Sequence, residues 1–497
     1  ATPPYQPRCL PSCPNYSASR DEGMADGKET IECDYLVIGA GCSSLAFVDT
    51  LASRIIASKT ETSIVVVDER GQPGGHWNDA YAFAKLHHES AHYGVPSKPL
   101  EPDTAKNGKP CRHYASTDEL LVYFGAVMED LVSTGCVRYF PKCTFRDDEV
   151  VSLMEPNTVW KIPTSCKIVD STFLRVESPS ARPPSFEIGL GTFVVPPNFL
   201  SSVPSPPSKY VVLGAGRTAI DVILWLLGTG LDPSKIQWVM PRDHWFMCRE
   251  AIEGTRMVET THEYFKATMN STSLEELSLE LERRSLLCRL DPLQKQEGFH
   301  GAALPQQELE QLRRISDIVR LGRVRAVHED HMLLERGTVP TPPGTLHVDC
   351  TSSWIPDLPQ PVRIFQPNLI TLQPVQELFV EAGEFNIPYS AGLLGLLEGL
   401  YPNDDVRKNT WCTPARYPDT LEDWYRIHIT AIRNRKLWDH PAICNWLTTN
   451  RLSLFSGLGP QDYRKFREMS RAKSSREHAE VLEKLLEKAE AARQASK

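Results

Sequence analysis

Two glycine-rich turns of one design, set far apart, constrain this chain more than any other feature. The first is Val37-Ile38-Gly39-Ala40-Gly41-Cys42-Ser43-Ser44, and the second is Val212-Leu213-Gly214-Ala215-Gly216-Arg217-Thr218-Ala219. Each follows a short β-rich apolar run and precedes apolar residues at helical spacing. In such a turn the first glycine permits a tight bend and the second lets a pyrophosphate approach the backbone. A small third residue, here Ser44 or Ala219, lets helix and strand pack closely. Backbone N–H groups at the helix N-terminus then form an anion site. One such turn implies one dinucleotide. Two imply two, a flavin and a nicotinamide, and hence redox chemistry.

The sequence around the turns supports this plan. Residues 34–38 form a strand pattern, and 44–56 a helix with Leu45, Val48, Leu51 and Ile55 on one face. Residues 64–67 are wholly apolar, as in a parallel strand covered on both faces. A helix is expected over 116–133, with Ser116 as cap and Glu119 in the capping-box position. Residues 137–195 carry short β-like runs, and the Pro/Ser-rich stretch 196–208 reads as a linker. Residues 209–240 repeat the strand, turn, helix (219–227) and strand (236–240) order. Residues 250–317 read as helical and polar. Strands follow at 318–321, 331–335 and 346–350, and a charged helix at 475–496. That last helix has an apolar stripe of Val481, Leu482, Leu485, Leu486 and Ala489, which docks on the body or on a second subunit of a homo-oligomer.

The expected fold class is α/β, with two Rossmann-like dinucleotide-binding domains, the nicotinamide one inserted in the flavin one, plus a helical C-terminal region. The expected divisions are an extended lead-in (1–30), an FAD-binding domain (31–205 and 345–400), an NAD(P)H-binding domain with a helical insertion (206–344) and the helical region (401–497).

Composition sets outer limits. A chain of 497 residues, 41% hydrophobic, can bury more than one core. A net charge of -9 opposes broad nucleic-acid binding, which needs a basic face. No apolar run is long enough to cross a bilayer, and residues 1–27 lack the apolar core of a signal peptide. Thirteen scattered cysteines, an odd number, suggest reduced thiols and a cytoplasmic protein. Cys9 and Cys13 read as incidental thiols, and no metal is expected.

Asp68 closes the run Val65-Val66-Val67-Asp68-Glu69-Arg70, where an acid accepts hydrogen bonds from an adenosine ribose. The stretch from Asp68 to Gly74-Gly75-His76-Trp77 resembles the FAD-binding segment of flavin-dependent monooxygenases, the group that includes the flavin-containing, Baeyer–Villiger and N-hydroxylating enzymes. The resemblance implies that Gly39, Gly41, Ser43, Ser44, Asp68 and Glu69 hold the adenosine diphosphate of FAD. It implies that Gly75, His76 and Trp77 line the flavin end. The alternative for Trp77 is a core aromatic with a satisfied N–H. The strand His347-Val348-Asp349-Cys350-Thr351-Ser352 resembles the Ala-Thr-Gly-ended return strand of such flavoproteins, with Cys350 and Ser352 as departures. The Phe-x-Gly-x-x-x-His fingerprint is absent between Trp77 and Tyr210, so the chain reads as a diverged relative. No close cysteine pair adjoins the first helix, which argues against a disulfide reductase.

In the second unit, Gly214, Gly216, Arg217, Thr218 and Ala219 are expected at the nicotinamide cofactor's phosphates. Arg242 stands where an acid would select NAD, and an arginine there can fork onto a 2′-phosphate, favouring NADPH. Its alternative is a salt bridge to Asp243 or Glu250. Residues 78–95 carry His87, His88 and His92 among acids and tyrosines. His87 and His88 are the catalytic candidates, as proton-transfer groups; structural hydrogen bonding is the alternative. His88 and His92 alone lack the further ligands of a zinc site. Residues 250–317 and 375–450 are expected to shape the substrate cavity.

The activity implied by the resemblance is an FAD-dependent, NADPH-using monooxygenase of secondary metabolism. It would oxygenate a small metabolite (an amine, indole, sulfide or ketone) with O₂ through a C4a-(hydro)peroxyflavin. The rivals are an FAD-dependent oxidase or dehydrogenase that does not use NADPH, and a non-catalytic cofactor-binding protein.

Overall fold

The computed structural model describes residues 29–100, 113–174, 178–252, 256–351, 360–375, 386–438, 440–453, 468 and 473–495. Cys9 and Cys13 lie outside these residues, as do nearly all of the lead-in, Ser352, and part of the 375–450 stretch.

Strand β1 (Tyr35–Ile38) leads through the first turn into helix α1 (Cys42–Ser58), and β2 (Ile64–Asp68) follows. Then come α2 (Thr117–Ser133), β3 (Val137–Pro141) and β4 (Lys167–Asp170). The chain next forms β5 (Phe193–Val195), β6 (Lys209–Leu213), α3 (Arg217–Gly228), β7 (Ile236–Val239), β8 (Asp317–Val319) and β9 (Thr345–Asp349). It closes with β10 (Phe365–Gln366), β11 (Leu369–Thr371), α4 (Asn386–Leu400), α5 (Leu421–Leu437) and α6 (Lys473–Ala495). Ser116 and Glu119 make the capping box expected at the start of α2.

Two parallel sheets organise these elements. The first has the order β10-β11-β4-β1-β2-β3, antiparallel only between β10 and β11. The second has the order β5-β9-β6-β7-β8 and is parallel throughout. In each sheet an interior strand, β2 or β7, has every residue buried, as expected where both faces are covered. All strands of the second sheet lie in sequence between β4 and β10 of the first. One Rossmann-like unit is therefore inserted in another.

Two details differ from the sequence reading. Strands β5 and β9 fall in segments assigned to the flavin domain, yet they pair with each other and with β6 in the second sheet. Residues 250–317 are not simply helical: Leu287–Arg289 and Gly298–Leu304 pair with His244–Cys248 in a three-stranded sheet. Further along, Val324–Val327 and Gly337–Pro340 flank His331–Leu334 as extra strands, and Glu187–Ile188 joins them. The helical C-terminal region packs on the rest of the chain. Trp438, Ile443, Trp446 and Leu447 pack into the core around α1, while α6 buries Leu482, Leu485 and Leu486 beside α5. Arg433–Glu483 and Arg493–Glu422 ion pairs, both at 2.6 Å, tie α6 to α5, so α6 docks on the body of its own chain.

Helix α4 packs directly on α1. A Cβ at Gly395 would stand 2.5 Å from the Phe47 carbonyl oxygen, so only glycine allows this approach. Glu398 of α4 is fully buried and accepts from Tyr35 Oη and Lys167 Nζ, each at 2.8 Å, beside a close ion pair with Lys408. This cluster joins α4 to β1 and β4, the two central strands of the sheet that carries the first turn. Among the described residues, no helix is long and apolar enough to cross a membrane.

Candidate functional site

The first turn leaves β1 at Gly39, whose φ of +97° lies in the left-handed region, and a Cβ there would meet Ser171 Oγ at 2.6 Å. Gly39 is thus required by the fold itself. Gly41 is different. Its backbone is ordinary (φ -84°, ψ -177°), and a Cβ would meet only Gly75 Cα, at 3.6 Å. Across the contact, Gly75 has φ +56°, and its own Cβ would come to 2.9 Å from Gly41 Cα. The Gly74 amide donates to the Ala40 carbonyl at 2.8 Å. The Gly74–Gly75 loop therefore lies against the first turn, bringing together two motifs expected to share one ligand. Ser44 is buried and donates to the Gly41 carbonyl at 2.8 Å, while Ser43 is half-buried in the first helical turn.

Asp68 sits at the end of β2 as expected, but its carboxylate already has work. It accepts from the backbone N–H of Ala40 and of Arg70, each at 2.6 Å. Burial pushes its pKa up, and those two amides oppose the rise. Asp68 thus holds the shape of the turn, and a ribose contact would come in addition. Glu69 is exposed and accepts from Thr144 Oγ1 at 3.0 Å. His76 is exposed. Trp77 is buried in the core and donates from Nε1 to the Tyr93 hydroxyl at 2.9 Å, the arrangement of a core aromatic with a satisfied N–H.

The second turn repeats the first. Gly214 has φ +124°, and its Cβ would meet the Cys350 carbonyl oxygen at 2.8 Å, so the return strand β9 presses directly on it. Gly216 has an ordinary backbone (φ -82°, ψ -178°), and a Cβ there would find nothing within 4 Å. Thr218 is half-buried, and Ala219 is fully buried where helix meets sheet.

Two arginines have carboxylate partners that the sequence reading did not name. Arg217 opens α3. It pairs with the well-shielded Asp221 at 2.8 Å and with the half-buried Glu308 at 2.7 Å, and partial exclusion of water strengthens both attractions. Arg242 forks onto Asp419 at 3.0 and 2.6 Å. It does not pair with the alternative partners Asp243 and Glu250; Asp243 is forked by Arg320 at 2.8 and 3.1 Å. Hydrogen bonds from His300 and Arg242 hold the Asp419 carboxyl well below the usual range. Asp419 comes from the segment just before α5, too far along the chain for sequence reading to find.

The two catalytic candidates separate. His88 is 3% exposed, and burial pushes its pKa well down. His87 keeps 22% of its side-chain exposure, with Nε2 3.3 Å from Asp221 Oδ2. Tyr81 donates to that same oxygen at 2.6 Å. Burial works against the Asp221 charge, but Arg217 and then His87 outweigh it and hold its pKa at about 2. Asp221 was missed as a site residue; its one signal in sequence is the i,i+4 spacing from Arg217. Among the described residues, no group of three or more His, Cys, Asp or Glu is arranged to hold a metal ion.

The residues present fit two pyrophosphates. Gly41 and Gly216 each open a helix N-terminus to close approach, at positions where the backbone itself does not need glycine.

No family model matches the chain. Over 445 residues it is 36% identical to uncharacterized protein Rv2000 of Mycobacterium tuberculosis (strain ATCC 25618 / H37Rv), a match covering 87% of this chain and 79% of the relative. Uncharacterized protein Mb2023 of Mycobacterium bovis matches with the same identity and coverage. Among solved structures, a flavin-containing monooxygenase from Stenotrophomonas maltophilia is 11% identical, covers 75% of this chain and 99% of its own, and has a TM-score of 0.44. A polycyclic ketone monooxygenase from Thermothelomyces thermophila is 13% identical, with coverages of 92% and 90% and a TM-score of 0.46. OTEMO in complex with FAD and NADP is 14% identical, with coverages of 77% and 85% and a TM-score of 0.46.

Proposed function

This chain belongs to the family of the mycobacterial proteins Rv2000 and Mb2023, and we propose that it is an FAD-dependent, NADPH-using monooxygenase acting on a small molecule with O₂. One observation carries the reading. Gly41 and Gly216 have backbone angles open to any residue and free space at Cβ, so what favours glycine there is a ligand that must touch the backbone. FAD belongs to the first turn, where the Gly74–Gly75 loop adds a second wall. NADPH belongs to the second.

FAD and NADPH, when bound, supply hydride transfer and oxygen activation. The chain's part is to bind, orient and exclude water. The N–H groups at the starts of α1 and α3 take the two pyrophosphates. Gly74 and Gly75 hold the flavin-side loop against the first turn, and Trp77 with Tyr93 backs that loop with apolar surface. The β9 strand, pressed on Gly214, returns the chain from the inserted unit toward the first sheet. The substrate is a small, moderately apolar compound with a soft nucleophile or a ketone.

The pairing of Arg217 and Arg242 with internal acids supports a second reading, a flavin oxidase or dehydrogenase that takes no NADPH. Anaerobic mixing of the purified protein with NADPH separates the two. Bleaching of the flavin absorbance within the mixing experiment is the expected result. A flavin that stays oxidised supports the second reading. A protein that releases no FAD on denaturation ends both.

A further inference from the structure

At the end of the first sheet away from the glycine turn, two cysteines from distant parts of the chain meet. Cys33 stands just before β1 and Cys166 just before β4. Their sulfurs are 3.4 Å apart, although 133 residues separate them in sequence. The two strands are paired neighbours, with Tyr35 facing Lys167. The Lys167 amide donates to the Asp34 carbonyl at 2.8 Å, the Ile31 amide to the Lys161 carbonyl at 2.9 Å and the Cys166 amide to the Pro163 carbonyl at 2.9 Å. The backbones that carry the two thiols are therefore held on both sides of the contact.

Both side chains are buried, Cys33 at 7% exposure and Cys166 at 3%. They belong to a small apolar cluster that joins Leu36, Val65 and Val67 of the first sheet to Val150 of a four-stranded sheet packed on it. The flanking residues Glu32, Asp34, Thr164 and Ser165 are exposed, so the pair lies just beneath the surface. The two thiols are not equivalent. The hydrogen bond with Cys166 lowers the pKa of Cys33. The Arg138 guanidinium, which also donates to the Glu32 carbonyl, adds to this, against burial and the carboxylates of Asp34 and Glu32. The same hydrogen bond and burial push the Cys166 thiol up. Cys33 is thus the sulfur with thiolate character, and Cys166 is the adjacent thiol that can resolve its oxidised form. Cys143 is buried in the same cluster, where burial alone pushes its thiol up.

We propose that Cys33 and Cys166 are a peroxide-sensitive dithiol, which closes to a disulfide and fastens the start of β1 to the start of β4. First, the Cys33 thiolate attacks hydrogen peroxide. A sulfur–oxygen bond forms, the oxygen–oxygen bond breaks, and the departing hydroxide takes up a proton to become water. Then the Cys166 sulfur attacks the Cys33 sulfenic acid. The sulfur–sulfur bond forms, the sulfur–oxygen bond breaks, and the Cys166 proton leaves with the hydroxyl as a second water. The two thiols together lose two electrons, and the peroxide gains them. This pair is not placed to reduce a flavin: Gly39 opens the first turn six residues beyond Cys33, about 20 Å away at about 3.3 Å per residue of strand. Its effect is mechanical, because a link across so long a stretch restricts the unfolded chain.

The test is peroxide treatment of the purified, folded protein at a dose that converts the exposed Met154 to its sulfoxide. Alkylation under denaturing conditions and peptide mapping follow. The expected product is a linked Cys33–Cys166 peptide that reduction separates, with Cys143 still alkylated. The oxidised protein is expected to melt a few degrees higher than the reduced one. In Cys166→Ser, peroxide is expected to leave Cys33 as a sulfenic acid that dimedone traps, with no rise in melting temperature. Unlinked, alkylated Cys33 and Cys166 at that dose overturn the inference. So does a link from Cys33 to any other cysteine, or a linked protein that melts no higher than the reduced one.

Discussion

Arg242 shows how far a single residue type can be trusted. Its chemistry, a planar fork suited to an anion at the end of β7, is legible in sequence. Its occupant is not, because Asp419 reaches it from the approach to α5. If Arg242 holds the 2′-phosphate of NADPH, that phosphate must displace Asp419 from this fork. Arg242→Gln is then expected to weaken NADPH binding about tenfold or more while leaving NADH binding unchanged, as measured by equilibrium titration of the flavin-loaded protein. Equal effects on the two cofactors, or none, would remove Arg242 from the site. The glycines divide in a similar way. The motif marks Gly39, Gly41, Gly214 and Gly216 alike, but only the folded backbone separates the two that bend the chain from the two whose backbone any residue could adopt. His87 and His88 are neighbours in sequence, yet one is sealed in the core and the other meets Asp221. Local sequence does not say which face of a non-helical segment turns inward.

Elements with strong local signals were legible: α1, α2 and α3, and the strands before and after each glycine turn, fall within a few residues of their expected places. The strands at Leu287–Arg289 and Gly298–Leu304 were not. The first is only three residues long and the second is interrupted by Gly301, and their partner His244–Cys248 is distant in sequence, so their pairing has no local signature. The close packing of α4 on α1 was equally hidden. It depends on Gly395 facing the Phe47 carbonyl, a relation between segments at opposite ends of the chain. Gly395→Ala inserts a methyl group into that contact and is expected to destabilise the protein by about 1–3 kcal/mol, seen as a lower denaturant midpoint. A midpoint equal to wild type would mean that α4 can shift away from α1 at no cost.

At the scale of the whole molecule, insertion of one dinucleotide unit into the other was legible from the order of the motifs, but its seams were not. Strands β5 and β9 belong to the inserted unit because they extend its sheet, while their sequences read as those of the outer unit. The molecule also buries several histidines in neutral form. Desolvation depresses His244 and His478 to about 3 and His347 to about 4, and pushes His88 and His428 well down. Their unfolded pKa is about 6.5. Above that value these groups are neutral in both states. As pH falls below it, the unfolded chain takes up protons that the folded chain refuses, and stability is lost toward pH 4. Asp49 and Asp68, raised by burial, act in the opposite direction near the carboxylate range and offset part of the loss. The melting temperature is therefore expected to fall steadily from pH 7.5 to 5, and the fall to be shallower in His478→Phe. A flat profile would contradict this description of the buried histidines.

The central claim is that two ligand-admitting glycines divide the work, flavin at Gly41 and nicotinamide at Gly216. Bound FAD and its anaerobic reduction by NADPH, measured together in Gly41→Ala and Gly216→Ala, test it most directly. Gly41→Ala is expected to lose its flavin. Gly216→Ala is expected to keep wild-type FAD content but to be reduced at least about tenfold more slowly at the same NADPH concentration, since one methyl group blocks the pyrophosphate's approach. Full flavin in Gly41→Ala, or wild-type reduction in Gly216→Ala, would contradict it.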